Sequence, residues 1–170
     1  ASPGFIDQIF LGFGQFDIVA SLTRAEVYVS YPGRISVIDT TQNRIIRSVP
    51  ASDAKERMAL HPNGSSMYIP LKNDNSIEIV NINTGARSRI INIPSPSNPT
   101  FNATGSRLYV SNSTDNFVYV IDTFTAKIIH SISITGPSHS MLGSNNRLYV
   151  STRLSQIAVI DVNTYQILAY

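Results

Sequence analysis

The sequence repeats itself with a period of about 40 residues. Four tyrosines lie 40, 41 and 40 residues apart, at Tyr28, Tyr68, Tyr109 and Tyr149. Each lies in a short apolar run, and a second apolar run follows and closes on Asp39, Asn81, Asp122 or Asp161. A fixed period of this length is typical of repeat architectures, in which each unit buries its faces only against its neighbours. No other feature of the sequence constrains the fold as strongly.

The repeated unit is clearest in its third copy. Residues 107–112 (RLYVSN) and 117–122 (FVYVID) read as two short strands joined by a polar turn. Each unit contains about four such strands with short polar connections and almost no helical periodicity, which predicts an all-β fold. The second and third strands are near-continuous apolar runs, so both of their faces are expected to be covered by neighbouring sheets.

The repeat divides the chain into two parts. Residues 1–15 lie outside it, and residues 5–11 could form an extra strand before two glycines interrupt the pattern. Residues 16–170 form one domain of four units, in keeping with a length of 170 residues. The first strand of each unit is predicted at residues 16–21, 58–61, 100–102 and 140–142.

These patterns resemble the YVTN family of β-propellers. The best match is YVSN at residues 109–112 followed by VIDT at residues 120–123, and the strand ending recurs at residues 37–40 and 159–161. The turn HPNG at residues 61–64 matches the turn that precedes the family's tyrosine. The resemblance covers about residues 16–170. It implies a propeller with a binding or surface role and does not by itself imply an enzyme, because propellers have many functions.

The chain departs from the family at several points. Pro70 and Asn81 replace residues that the family keeps polar and acidic, and SNN at residues 144–146 replaces the proline-glycine turn. Members of the family typically have seven blades, whereas this chain supplies four. The sequence therefore predicts a β-propeller of four blades with four antiparallel strands each, which could be half of a larger ring.

Four blades in an open arc would leave two apolar sheet faces exposed. The chain could close alone as a tight ring, two copies could form an eight-bladed ring, or the chain could belong to a longer protein. We expect a homo-oligomer or a filament, joined either by blade faces or by exchange of the strand at residues 5–11. The side chains predicted to be presented on the end faces are Phe16, Ile18, Ile157 and Val159.

Composition excludes several classes of protein. Charged residues make up 14% of the chain, and its net charge of +2 comes from scattered basic residues, so no nucleic-acid partner is expected. No apolar run approaches the roughly 20 residues of a membrane helix. The chain has no cysteine, which excludes disulfides, thiolate metal sites and a cysteine nucleophile.

Three Asn-x-Ser/Thr sequons favour an exported protein. They begin at Asn63, Asn102 and Asn112, in predicted turns or at strand ends. The chain also begins at Ala1 without methionine, so a leader could have been removed. A secreted or cell-surface location is therefore expected, although the same tripeptides also occur as ordinary polar turns.

One set of polar residues is a candidate ligand site. Alignment of the four units places Asp17, Arg57, Asn98 and His139 at roughly equivalent positions, at or near the start of the first strand of each unit. If these positions surround the mouth of a central channel, they could bind a small polar or anionic ligand. The alternative is that they are solvated loop residues.

No catalytic constellation is visible. His139 has no acidic residue near it in the sequence, the acidic residues are too spread out for a metal site, and no cofactor is expected. The acidic residues that end the third strands are expected to bond turn amides. The leading interpretation is therefore a binding or assembly module. The competing one is a lactonase-type hydrolase with its site at the channel mouth.

Overall fold

The computed structural model describes residue 9, residue 11, residues 13–14 and residues 16–170. In this part of the chain the strands form four antiparallel sheets of four strands each, and every sheet is a meander of consecutive strands. The one helical element within the same ranges is a short 3₁₀ turn at Lys72–Asp74. The prediction of an all-β fold with four four-stranded blades is confirmed.

We number the sheets blade 1 to blade 4 in chain order. Blade 1 contains β1 (Ile18–Ala20), β2 (Glu26–Tyr31), β3 (Arg34–Asp39) and β4 (Arg44–Pro50). Blade 2 contains β5 (Ala59–Leu60), β6 (Ser66–Leu71), β7 (Ser76–Asn81) and β8 (Arg87–Ile91). Blade 3 contains β9 (Ser97–Phe101), β10 (Arg107–Asn112), β11 (Phe117–Asp122) and β12 (Lys127–Ser133). Blade 4 contains β13 (Pro137–Leu142), β14 (Arg147–Thr152), β15 (Ile157–Asp161) and β16 (Ile167–Ala169).

The residues that end the third strands form the turns to the fourth strands, as predicted. The side-chain Oδ1 of Asp39 accepts hydrogen bonds from the amides of Thr41 at 2.7 Å and Gln42 at 3.1 Å. Asn81, Asp122 and Asp161 accept from the amides two and three residues further on in the same way. These bonds replace the ladder contacts that the backbone loses in the turn.

The same hydrogen bonds stabilise the charged form of the three aspartates. The hydroxyl and amide of Thr41 hold the pKa of Asp39 below its usual value. The amide of Thr125 lowers the pKa of Asp122, and that of Asn163 lowers the pKa of Asp161. These carboxylates accept hydrogen bonds within turns and stay ionised, so they are poorly suited to donate a proton in a reaction.

The core lies between the blades. Three apolar clusters each join one blade to the next, and they are centred on Tyr28 and Ile69, on Tyr68 and Leu108, and on Tyr109 and Leu148. Among the described residues, no apolar cluster joins blade 4 to blade 1. The blades therefore form an open arc in which each internal face is buried by its neighbour.

Three of the repeated tyrosines, Tyr28, Tyr68 and Tyr109, pack in the clusters between the blades, and Tyr149 lies on blade 4 outside these clusters. The Tyr28 hydroxyl donates to Glu26 Oε2 at 2.7 Å, and the Tyr149 hydroxyl accepts from Asn145 Nδ2 at 3.1 Å. Burial raises the pKa of Tyr28 and Tyr68, and it raises the pKa of Tyr109 to about 12. These phenols therefore stay neutral over the whole physiological range.

For each blade, the face towards the next blade is called the forward face and the opposite one the back face. The back face of blade 1 is partly covered by the two described residues 9 and 11 of the N-terminal segment. Val29, Tyr31 and Ile38 are buried there, and the partly buried Ile9 and Leu11 pack against this cluster. Most of the strand predicted at residues 5–11 lies outside the described residues.

Candidate functional site

The first strands of the blades lie side by side along the inside of the arc. Contacts run from β5 to β9 and from β9 to β13, and a hydrogen bond joins the start of β1 to the start of β5. All four predicted site residues lie along these inner strands or just before them. Asp17 directly precedes β1, Arg57 precedes β5, and Asn98 and His139 lie inside β9 and β13.

The predicted starts of two inner strands are corrected by the structure. β9 begins at Ser97 rather than at residue 100, and β13 begins at Pro137 rather than at residue 140. Both strands pair irregularly with their neighbours near these residues, and Asn98 takes a positive φ of 45°. A bulge adds a residue and breaks the period of two, which is why the sequence pattern concealed these segments.

Asp17 and Asn98 act as connectors between blades. Asp17 Oδ2 accepts a 2.7 Å hydrogen bond from the Met58 amide, and Asn98 Nδ2 donates a 3.0 Å hydrogen bond to the Ser138 carbonyl oxygen. Each side chain thus reaches the equivalent point on the next blade. These two side chains therefore stabilise the contacts between adjacent blades.

Arg57 and His139 are exposed. Arg57 and Asn98 line a cavity of about 120 Å³ between blades 2, 3 and 4, whose lining includes neither Asp17 nor His139. His139 Nδ1 lies 3.0 Å from the Ser138 hydroxyl. The structure therefore brings two of the four predicted residues into one cavity. That cavity is smaller than the roughly 300–1,000 Å³ of small-molecule sites.

A larger cavity lies at the other end of the inner strands. It has a volume of about 460 Å³ and is lined mainly by apolar side chains, including Val19, Leu22, Leu60 and Phe101. Its size and lining suit a small apolar group. The sequence predicted a site of polar residues near the starts of the inner strands. It did not predict this cavity, which lies where the ends of three inner strands come together. The available signal was that β1, β5 and β9 each end on or next to an apolar residue.

His61, in the wall of this cavity, is a structural residue. Its Nδ1 accepts the Asn63 amide at 3.2 Å, so Nε2 carries the proton that faces the Gly105 carbonyl oxygen at 3.2 Å. Gly105 has a φ of +76°, and a Cβ there would collide with the His61 ring. The ring thus locks the turn of blade 2 against that of blade 3, and both of its nitrogens are engaged.

The buried carboxylate of Glu78 is also a structural element. Its side chain is 2% exposed and accepts hydrogen bonds from the Ser52 amide at 2.7 Å, from the Ser52 hydroxyl at 3.1 Å and from Arg87 Nε at 2.8 Å. Glu78 thereby fastens blade 2 to the segment that follows blade 1. A carboxylate with this many hydrogen-bond donors is held in one position.

The three sequon asparagines differ in how free their amide nitrogens are. Asn63 is exposed and uses its Oδ1 to accept from Ser65. Asn102 Nδ2 donates to the Ser106 hydroxyl at 3.1 Å. Asn112 is fully buried, and its Nδ2 donates to the Pro94 carbonyl oxygen and to Asp115 Oδ2. A sugar on Asn112 would require both of these bonds to break, whereas Asn63 could carry one in place.

The forward face of blade 4 is open. Strand register places four apolar side chains on this face, namely Met141, Tyr149, Ile157 and Val159. Met141 is 72% exposed and Ile157 is 56% exposed. The position of Ile157 in the repeat is occupied in blades 1, 2 and 3 by Ile35, Ile77 and Val118, each 0% exposed. The surface that each earlier blade buries against its successor is therefore uncovered in blade 4.

The end-face residues named from the sequence agree with this picture. Phe16, Ile18 and Ile157 are exposed, and Val159 is half-buried.

Within residues 9, 11, 13–14 and 16–170, no group of three or more metal-ligating side chains is assembled. In the same ranges no helix is long and apolar enough to cross a membrane.

Solved structures share this fold at low sequence identity. Hydrazine synthase from Kuenenia stuttgartiensis superimposes with a TM-score of 0.79 and 21% identity, over 92% of this chain and 48% of that one. A functionally unknown protein from Desulfotomaculum acetoxidans gives a TM-score of 0.77 and 16% identity, over 92% and 55% of the two chains. The β-propeller domain of Myceliophteria thermophila Cps50 (Swd1) gives 0.73 and 18%, over 90% and 56%.

These similarities show a β-propeller fold and leave function open. The chain spans about half the length of the solved chains that it matches. No protein-family model matches the sequence, and no curated protein matches it either. The YVTN resemblance thus stays a prediction, while the propeller that it implied is present.

Proposed function

We propose that the protein is an exported or cell-surface β-propeller that acts as a binding and assembly module. The observation that carries this proposal is the open forward face of blade 4. Blades 1 to 3 bury the position of Ile157 completely, and blade 4 exposes more than half of it. A face with the same side chains as three buried faces is suited to receive another apolar surface.

The energetics favour a partner for this face. Burial of apolar surface contributes roughly 25 cal/mol per Å² before the cost of association. Exposed apolar patches of a few hundred Å² on soluble proteins generally mark interaction sites. Self-association through the blade faces or through the N-terminal segment would supply such a partner, and another protein would serve equally well.

An exported location is supported by Asn63. Its side chain is exposed, so that a sugar on it does not require a buried side chain to move, unlike one on Asn112. Glycosylation is expected first at Asn63, then at Asn102, and least at the buried Asn112. Intact-mass measurement of protein from its native source tests this order, and a mass equal to the bare chain would remove this support.

The solution mass tests the assembly function. Light scattering of the full chain over a concentration series should give a mass above 18.6 kDa that rises with concentration. Ile157→Asp should reduce this mass, because a carboxylate on the open face opposes burial. Ile129→Asp is the matched control, since Ile129 is 45% exposed on the outer strand of blade 3. A full chain that stays at 18.6 kDa throughout would contradict self-assembly.

A lactonase-type hydrolase is the competing function, and the cavity shared by Arg57 and Asn98 is the observation that favours it. If that cavity were catalytic, Arg57→Ala would abolish hydrolysis of a lactone substrate while the fold stayed intact, and His139→Ala, outside its lining, would not. If the protein is a binding module, neither variant changes its assembly.

A further inference from the structure

We propose that the forward face of blade 4 docks against the same face of a second copy, which gives a two-fold symmetric dimer. This inference rests on the proposed assembly function and specifies the partner. It differs from a head-to-tail chain of propellers in one testable respect, because an isologous contact uses a single face and ends at two chains.

The two ends of the arc are unlike. A head-to-tail joint would place blade 4 of one copy on the back face of blade 1 of another. Much of that back face is already occupied, since Val29, Tyr31 and Ile38 are only 3%, 4% and 7% exposed and pack with Ile9 and Leu11, whereas Ile18 on the inner strand is 65% exposed. A head-to-tail joint must therefore displace Ile9 and Leu11, whereas a face-to-face joint displaces nothing.

The open face of blade 4 is largely apolar. An apolar row crosses all four strands, because Met141 pairs with Tyr149, Tyr149 with Val159, and Val159 with Ala169. Tyr149 and Val159 lie in the two central strands of the blade. Two sheets packed through such rows interdigitate at about 10 Å separation, as in a β-sandwich.

The charges on the open face of blade 4 are also compatible with a symmetric contact. Arg147 and Asp161 are cross-strand partners, and their places in the strand alternation put them on the same side of the sheet as Tyr149 and Val159. The face thus carries one positive and one negative residue at its edge and no net charge. Two identical faces do not repel each other, and a two-fold axis lets opposite charges approach across the joint.

The size of the face predicts a weak dimer. Four strands spaced about 4.8 Å apart, each about five residues long, give roughly 300 Å² in plan per copy. The total of roughly 600 Å², somewhat more when side-chain relief is included, lies below the 1,200 Å² of stable complexes. Association should therefore depend on concentration and be complete only in concentrated solution.

Single-cysteine variants test the geometry cleanly, because the chain contains no cysteine. Val159→Cys lies near the middle of the open face, and Met141→Cys provides a second position should the first disturb folding. Ile18→Cys marks the back face of blade 1, where Ile18 is 65% exposed and pairs with Val29. Ile129→Cys is the control on the outer strand of blade 3.

A flexible bis-maleimide applied to concentrated full-length protein should cross-link Val159→Cys and Met141→Cys to themselves. The product should have twice 18.6 kDa and no larger species, and Ile129→Cys should give none. Cross-links that form only in a mixture of Met141→Cys and Ile18→Cys would overturn the two-fold dimer while the assembly function stands. If no variant cross-links and light scattering shows the chain to be monomeric, both the two-fold dimer and the proposed assembly function are overturned.

Discussion

Blade 1 and blade 4 lie at the two ends of the arc that the structure describes, and their outward faces are covered to different extents. Each has one face packed on a neighbouring blade and one face that the repeat does not cover. In blade 1 Ile9 and Leu11 cover part of the back face, so that Val29, Tyr31 and Ile38 are buried while Ile18 stays exposed. In blade 4 nothing among the described residues does so, and Met141 and Ile157 stay exposed.

The difference shows that the repeat pattern alone does not determine burial. Ile35 and Ile157 occupy the same position in strands of similar sequence, yet one is 0% exposed and the other 56%. They differ because blade 2 covers Ile35, whereas no described blade covers Ile157. In a repeat protein, burial is set by the interface with the adjacent unit, so the end units have the same residues with different energetic roles.

The largest expected effect comes from truncating these two equivalent isoleucines. Ile35→Ala should lower the free energy of unfolding by about 2–5 kcal/mol, because it leaves a cavity between blades 1 and 2. Ile157→Ala should cost less than about 1 kcal/mol, because its side chain is already in contact with solvent. Urea unfolding of dilute protein followed by circular dichroism measures both. Similar losses for the two variants would mean that the face of blade 4 is covered.

A second pair compares the connectors along the inner strands. Asp17→Ala should cost roughly 1.5–3 kcal/mol, because the Met58 amide loses a charged acceptor. His139→Ala, at the equivalent position of blade 4, should stay within about 0.5 kcal/mol, because its ring is exposed and its hydrogen bond within the described residues goes to the neighbouring Ser138. The same unfolding assay compares them. An equally large loss for His139→Ala would assign it a connecting role that its contacts do not suggest.

The cover over blade 1 gives a smaller effect. Leu11→Ala should destabilise the protein by roughly 1 kcal/mol, since the half-buried side chain loses about half of its apolar contact. Leu22→Ala is the matched control, because Leu22 is 89% exposed. The midpoint of urea unfolding should move for the first variant alone. If Leu11→Ala leaves it unchanged, the N-terminal segment does not stabilise blade 1.

The smallest effect at neutral pH is expected for Tyr109→Phe, which keeps the ring and removes the hydroxyl. The pKa of Tyr109 is raised to about 12 by burial, whereas an unfolded tyrosine ionises near 10. A raised pKa in the folded state means that stability is intact below pH 10 and is lost as the pH rises through 10 to 12. Tyr109→Phe should therefore soften the alkaline loss of stability. Identical alkaline unfolding of the two proteins would contradict a buried, neutral Tyr109.

The sequence predicted the features that all four blades share and did not predict those that differ from one blade to another. Tyr28, Tyr68 and Tyr109 mark the buried seams, and each occurs at the spacing that revealed the blades. The bulges that place Asn98 and His139 inside strands add a residue to the alternation, so the pattern concealed them. The cover supplied by Ile9 and Leu11 comes from outside the repeat and depends on how the chain folds back.

The candidate site was harder to predict for a related reason. Equivalent positions in a repeat were expected to share one function, yet Asp17 and Asn98 bond to the next blade while Arg57 and His139 remain exposed. Which side chain finds a partner depends on distances of a few ångströms between blades, which residue spacing does not encode. The apolar cavity near Leu60 and Phe101 was missed because its lining residues read as core.

Thiol reactivity tests the contrast between a buried and an open face most directly. Ile157→Cys and Val118→Cys place a thiol at the same repeat position in blade 4 and in blade 3, in a chain with no other cysteine. At dilutions where the proposed dimer dissociates, Ile157→Cys should react with a maleimide at the rate of a free thiol. Val118→Cys should react roughly a thousandfold more slowly, because reaction requires the blades to open. Equal protection of both thiols at high dilution would contradict an open face on blade 4.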